Sequence, residues 1–227
     1  MTLDLAIRAT EILLSLAFIQ QSIEHLGART AEKTLFAIRI LLCIFLLIGF
    51  QTPWICLALI AQTLFTLHRF QGPYNGGSDR MSILILSCLT LAKFLPTAPL
   101  KELAIGYLAV QLVLSYFISG WVKIINSDWR NGRALNDVFR FSAYPVSESL
   151  RTWASYPRIL LILSWAVILF EIIFPITLLT QATLCAGLSI AALFHFSTAC
   201  FFGLNRFFWI WIAAYPSILW LQGRIFE

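Results

Sequence analysis

Residues 159–180 read ILLILSWAVILFEIIFPITLLT. The run holds one ionisable residue, Glu171, and one proline, Pro175. A helix of about 20 apolar residues is long enough to cross a bilayer. The apolar residues are continuous rather than alternating, which reads as helix and not as strand. In hydrocarbon every backbone N–H and C=O needs an internal partner, so a spanning segment is a helix or part of a closed barrel. Similar runs lie near 3–23, 34–51, 53–68, 81–96, 102–123, 183–204 and 207–222. The expected fold is all-α, a polytopic helical membrane bundle of about eight transmembrane helices. It forms a single transmembrane domain over 1–227, with a membrane-surface or re-entrant segment near 124–158.

The composition agrees. The chain is 59% hydrophobic and 12% charged, whereas about a quarter of a soluble domain is charged. A soluble globular enzyme, a disordered chain and a secreted disulfide scaffold are thereby excluded. The net charge of +5 carries no nucleic-acid signal. Its Lys and Arg sit mostly in short loops, where they set topology and meet lipid phosphate. The five cysteines form no Cys-x-x-Cys pair and are expected to be free thiols packing as small hydrophobes. Asp4 precedes the first run, Arg8 and Glu11 interrupt it and no small-residue cleavage site follows, so no cleavable signal is expected there. No repeat of the kind transporters carry is visible.

With eight spans, both termini share one face. The loops of the other face and the helix ends beside them hold eleven basic residues, against Arg8, Lys93, Lys101 and Arg224 on the terminal face. The positive-inside rule places the basic face in the cytoplasm. Two loops stand out, 68–80 and 124–158. The second mixes Trp129, Phe139, Phe141, Trp153 and Tyr156 with arginines, which suits a segment lying on the membrane or folding back into the bundle.

Ionisable groups inside spans are costly and are functional candidates by default. Arg8, Glu11, Ser15 and Ser22 share one arc of the first helix, and Arg8 and Glu11 can pair at i, i+3. Arg39 needs a partner across helices, with Glu171 one candidate. Gln111, Ser115, Ser119 and Lys123 recur every four residues, with Tyr116 in the same arc, and make a polar groove. Lys123 reads either as a snorkelling helix-end lysine or as a desolvated amine able to act as a base. Glu171 lies one turn before Pro175, which frees a backbone carbonyl, and requires a partner to stay ionised. His195 reads as a satisfied core residue or as a proton relay. No metal is expected, because His25, His68 and His195 have no metal-binding spacing. Asn75 with Ser78 and Asp79 reads as a helix-capping turn.

Three stretches together resemble one family. YFISGWVKIINSDWRNGRAL (116–135) is similar to the Lys–Trp–Gly segment of vitamin K-dependent gamma-carboxylases and their bacterial HTTM (horizontally transferred transmembrane) relatives. NGGSDRMSILIL (75–86) resembles that family's Asn-containing loop, and HFSTACFFGLNRFFWIWIAAYP (195–216) its late His–Phe–Gly–Pro stretch. The resemblance implies an integral, multi-pass protein of the bacterial inner (cell) membrane. It implies a carboxylase- or epoxidase-like enzyme, a lyase or oxidoreductase, acting on a quinol (hydroquinone) or similar lipophilic reductant. Lys123 would be the base, with His195 and Glu171 as catalytic pocket partners. Trp121 and Trp129 would flank the ring, Arg130 and Arg133 would hold an anionic group, and Tyr116 and Asn75 would line the substrate site. The expected partners are membrane lipid, a lipophilic small molecule and a peptide or protein substrate, with no nucleic acid.

Two departures from the animal enzymes stand out. Gly77-Ser78 stands where they carry a histidine, and the chain ends at Glu227 where they continue into a large extramembrane domain. Full glutamate carboxylation is not expected of it. The animal enzymes also place the active face outside the cytoplasm, opposite to the charge count. The rival expectation is a non-catalytic membrane partner in the export, maturation or immunity of another protein, with the basic loop as its docking surface.

Overall fold

The computed structural model describes residues 1–27, 30–69, 76–142 and 146–226. Among them every regular element is helical. They fall into two compact units, Met1–Val110 with Trp209–Ile225, and Gln111–Phe208 with Phe226.

The first unit contains α1 (Leu3–His25), α2 (Thr30–Ile48), α3 (Thr52–Arg69) and α4 (Gly76–Phe94). The Thr2 side chain caps α1 by accepting from the Leu5 N–H at 3.3 Å. The polar arc read in the sequence turns inward, for Glu11, Ser15 and Ser22 are fully buried. Ser15 and Ser22 donate to carbonyls one turn back, Glu11 O at 2.7 Å and Phe18 O at 2.6 Å. A hydroxyl satisfied within its own helix adds no unpaired polar group to the apolar surroundings. α2 and α4 pack on α1, and α3 packs on α2 and α4. Arg39 lies over the Phe18 ring at 3.8 Å.

Two helices run through both units, α5 (Ala98–Ile125) and α10 (Asn205–Phe226). The second unit holds α6 (Ser127–Arg130), α7 (Arg133–Phe141), α8 (Pro157–Ile173) and α9 (Gln181–Phe202). Pro175 ends α8, and residues 174–179 continue as a tighter 3-10 turn. α9 starts on a reciprocal capping box between Thr180 and Thr183.

Three helical segments are long and apolar enough to cross a membrane: Ala98–Ile125, Pro157–Leu179 and Gln181–Phe202. The expected count of about eight is not supported on those grounds. α1, α2 and α4 are helices of comparable length, but each carries three or more ionisable residues, including Arg8 and Glu11, Lys33 and Arg39, and Arg80 and Lys93. α10 is diluted by Trp, Tyr and Pro216, and the apolar part of α3, Thr52–His68, is shorter.

The stretch 124–158 is folded where it is described. α6 and α7 are followed by a 3-10 helix over Glu148–Ser155. α7 alternates faces at helical spacing, with Leu135, Val138 and Phe139 on one and Arg133, Asn136 and Arg140 on another. Phe139 is buried among Trp153 (6.1 Å), Phe201 (6.1 Å) and Phe202 (5.0 Å). Asn136 donates to Ala154 O at 2.8 Å, and Arg151 reaches Arg140 O at 2.7 Å and Ser142 O at 3.2 Å. Cys43, Cys56 and Cys88 are buried as expected of small hydrophobes, whereas Cys185 and Cys200 are exposed on α9.

Candidate functional site

Tyr116, Gly120 and Lys123 recur at four and three residues and so lie on one face of α5. That face packs on α8. A Cβ at Gly120 would stand 2.8 Å from the Ile172 backbone nitrogen, so glycine is what permits the two helices to approach this closely. The approach delivers Lys123 to Glu171. The ammonium stands 2.7 Å from Oε2 and 2.9 Å from Oε1. Glu171 is buried and the Lys123 side chain 17% exposed, so the pair is largely withdrawn from solvent. In such surroundings the mutual attraction is strong, and either charge alone would be costly.

The turn beyond α5 completes this end. The Trp129 ring centroid lies 5.2 Å from the Lys123 ammonium, within cation–π reach. Trp129 is held by its own carbonyl, which accepts from Ser164 Oγ of α8 at 2.6 Å. The Trp165 indole donates to Arg130 O at 3.0 Å. Gly132 has φ +77°, a left-handed turn, and a Cβ there would meet the Leu161 backbone at 2.9 Å. α6 is thus pressed on α8 by two side-chain-to-carbonyl bonds and a glycine contact.

A second polar pair lies on the same α5 face. Tyr116 Oη and His195 Nε2 share a hydrogen bond of 2.9 Å, and both residues are buried. The Tyr116 ring packs on Phe174 at 4.2 Å and edge-on to Phe170 at 6.0 Å. Phe170 of α8 and Phe174 at the start of the following 3-10 turn lie on either side of Glu171 in the chain, so the two pairs share one α5–α8 seam, with α9 contributing His195.

Of the residues singled out in the sequence, Lys123, Glu171 and Trp129 come together, and Tyr116 and His195 form their own pair. Trp121 does not join them, being exposed and stacked on Phe117 at 6.4 Å. It stands two residues before Lys123, about 200° away around α5. Arg130 donates to Ile124 O at 3.1 Å. Arg133 faces Asp128 at 4.0 Å and Asp137 at 3.7 Å. Both arginines thus have partners within their own segment, and the Arg133 side chain stays 71% exposed. Asn75 lies outside the described residues. Sequence reading missed Gly120, Ser164, Trp165, Phe170 and Phe174. Small residues at a helix contact are the only one of these signals a sequence offers. Among the described residues no three His, Cys, Asp or Glu side chains gather as a metal site.

Comparison with known families gives one match, in which the HTTM domain family model covers residues 92–221. No curated protein and no solved structure matches the chain. The matched span contains Lys123, Trp129, Glu171 and His195.

Proposed function

The chain belongs to the HTTM domain family, and from that premise we propose that it is a multi-pass enzyme of the bacterial cell membrane, related to vitamin K-dependent carboxylases. It acts on a quinol or similar lipophilic reductant, with Lys123 as base. The observation that carries this reading is the Lys123–Glu171 pair, 2.7 Å apart beside the Trp129 ring. A quinol brings an acidic phenolic hydroxyl and a flat ring, and an amine–carboxylate pair beside an indole fits both.

Proton transfer within the pair would turn a lysine held as an ammonium into a base. An ammonium has no lone pair. Passing one of its protons to Glu171 leaves a neutral amine and a neutral carboxylic acid, a form that low dielectric brings within reach of the ion pair because no charge then needs solvating. The amine then takes the phenolic proton, and the resulting ammonium stands beside the anion it has made. Glu171 is the proton store in this scheme and Trp129 the ring platform. Tyr116 and His195 hold the opposite end of the seam.

The test is turnover of a quinol by the protein in liposomes. Lys123→Ala should abolish it with the protein still folded. Lys123→Arg should fail as well, since a guanidinium keeps its proton at any working pH. Full activity in the arginine variant would remove the catalytic reading.

The folded surface of α6, α7 and residues 148–155 favours a second reading, a docking protein for an exported or matured polypeptide. Phe141 is exposed there beside Arg140. Purification without crosslinking separates the two: co-extracted quinone supports the enzyme, and a stoichiometric protein partner supports docking.

A further inference from the structure

The first unit contains a charged cluster that the proposed chemistry does not use. Glu11 on α1 is fully buried. Arg8 Nη1 lies 2.9 Å from its Oε2, and Lys93 Nζ of α4 lies 3.1 Å from its Oε1. One carboxylate therefore holds two cations. Arg8 is also bound to the end of α2, where Nη1 donates to Leu46 O at 2.8 Å and Nη2 donates to Leu47 O. Leu46 O also accepts from the Gly49 N–H at 3.1 Å, and both carbonyls lie at the negative end of α2, so they partly answer Arg8.

Lys93 has no such support. Glu11 is its sole ion-pair partner among the described residues, and its side chain is 34% exposed. Asp4, one turn before Arg8, is exposed and forms no ion pair among the described residues. The cluster thus sets two cations against one carboxylate, with the Arg8 and Lys93 side chains each 34% exposed and open to a further anion. Its outer side is aromatic. Trp54 and Phe94 are exposed and meet edge-on at 5.3 Å, with exposed Phe50 in the same α2–α3 turn region. Exposed tryptophan beside snorkelling cations is the usual side-chain pattern at the level of lipid headgroups.

We propose that Lys93 and Arg8, held by Glu11, form a binding site for the phosphate of an anionic phospholipid, with Trp54 and Phe94 as the shelf for its glycerol and upper chains. A phosphodiester carries one negative charge, which answers the cluster's second cation, and its oxygens accept the donors that Lys93 has unused. This site is independent of the quinol reading.

The experiment uses the full chain in detergent, stripped of lipid and offered phosphatidylglycerol or phosphatidylcholine. Retained lipid is counted by native mass spectrometry. One lysine near a lipid surface is worth roughly a fivefold preference for anionic lipid. Wild type should retain phosphatidylglycerol over phosphatidylcholine by about that factor or more. Lys93→Gln should remove the preference. Lys101→Gln, the same loss of charge elsewhere in the first unit, should leave it. Equal retention of the two lipids by wild type would overturn the proposal, as would equal losses in both variants. Inorganic phosphate at millimolar concentration displacing the lipid would overturn the lipid source in favour of a soluble anion. If Lys93→Gln does not fold, the thermal stability of wild type decides. A rise with phosphatidylglycerol alone supports the site, and an equal rise with both lipids refutes it.

Discussion

Gly120 of α5 touches the backbone of α8 at the residue that carries the buried carboxylate: a Cβ placed there would come within 2.9 Å of the Glu171 Cβ and 2.8 Å of the Ile172 nitrogen. Backbone cannot turn aside as a flexible side chain can. Gly120→Ala should therefore separate the helices by a few tenths of an ångström and cost about 1–3 kcal/mol, as overpacking does. Gly120→Leu should cost more and part Lys123 from Glu171. Thermal unfolding in detergent measures the first effect, and reactivity of the Lys123 amine toward an acylating reagent measures the second. An alanine variant as stable as wild type would mean that the two helices do not meet backbone to backbone at Gly120.

The ion pair predicts a thermodynamic cycle. Removing one partner leaves a buried charge with no counter-charge. Glu171→Leu or Lys123→Met alone should each cost about 3–5 kcal/mol. The double variant should recover much of that loss, because two apolar side chains of similar volume replace the pair. Strictly additive single and double effects would show that the two groups are not coupled.

Phe139 joins α7 to the end of α9 through two aromatic contacts and to the 148–155 turn through a third, Trp153. Phe139→Ala should cost about 3–5 kcal/mol at this site, as large-to-small changes at buried aromatics do. The loss should be local. Limited proteolysis should cut the variant between 127 and 155 and leave wild type intact there. Cutting of both at the same rate would deny that the cluster holds the segment.

Acid should loosen the same segment from the other side. The Arg151 hydrogen bond holds the Glu148 carboxyl below its ordinary value. A depressed carboxyl stabilises the fold above its unfolded value and loses that contribution as pH falls through the folded one. Amide protection in 146–155, corrected for the intrinsic pH dependence of exchange, should therefore be flat from neutral pH down to the ordinary carboxylate range near 4.5 and should fall below it. Glu148→Gln should exchange faster already at neutral pH and lose the acid-induced step.

Features that repeat locally were readable in the chain. The Arg8–Glu11 pair follows from i, i+3 spacing, and the buried face of α1 from the arc of Arg8, Glu11, Ser15 and Ser22. The helical class followed from the apolar runs. A spacing rule does not reach Lys93 beside Glu11, because partners on different helices leave no period. Glu171 was seen to need a cation, but Arg39, Lys123 and a protonated His195 all stood as candidates, and it is Lys123 that pairs with it. Trp121 and Trp129 looked alike as ring platforms. The chain turns at Asn126, so Trp129 comes back over Lys123 while Trp121 stays on the outer face. Tyr116 and His195 were each visible as polar residues in apolar runs, but 79 residues separate them.

Lys123 and Glu171 are 48 residues apart, and ribosomes build one before the other. At about 5–20 residues per second, the lysine reaches the bilayer some seconds before its carboxylate has been polymerised. If α5 crosses a bilayer, an ammonium alone at depth would be costly, so α5 should wait with Lys123 drawn up to the headgroups until α8 arrives. The order of synthesis thus makes Glu171 the signal that this half of the chain has been completed, and a chain truncated before α8 should leave α5 displaced toward the surface and open to quality-control proteases.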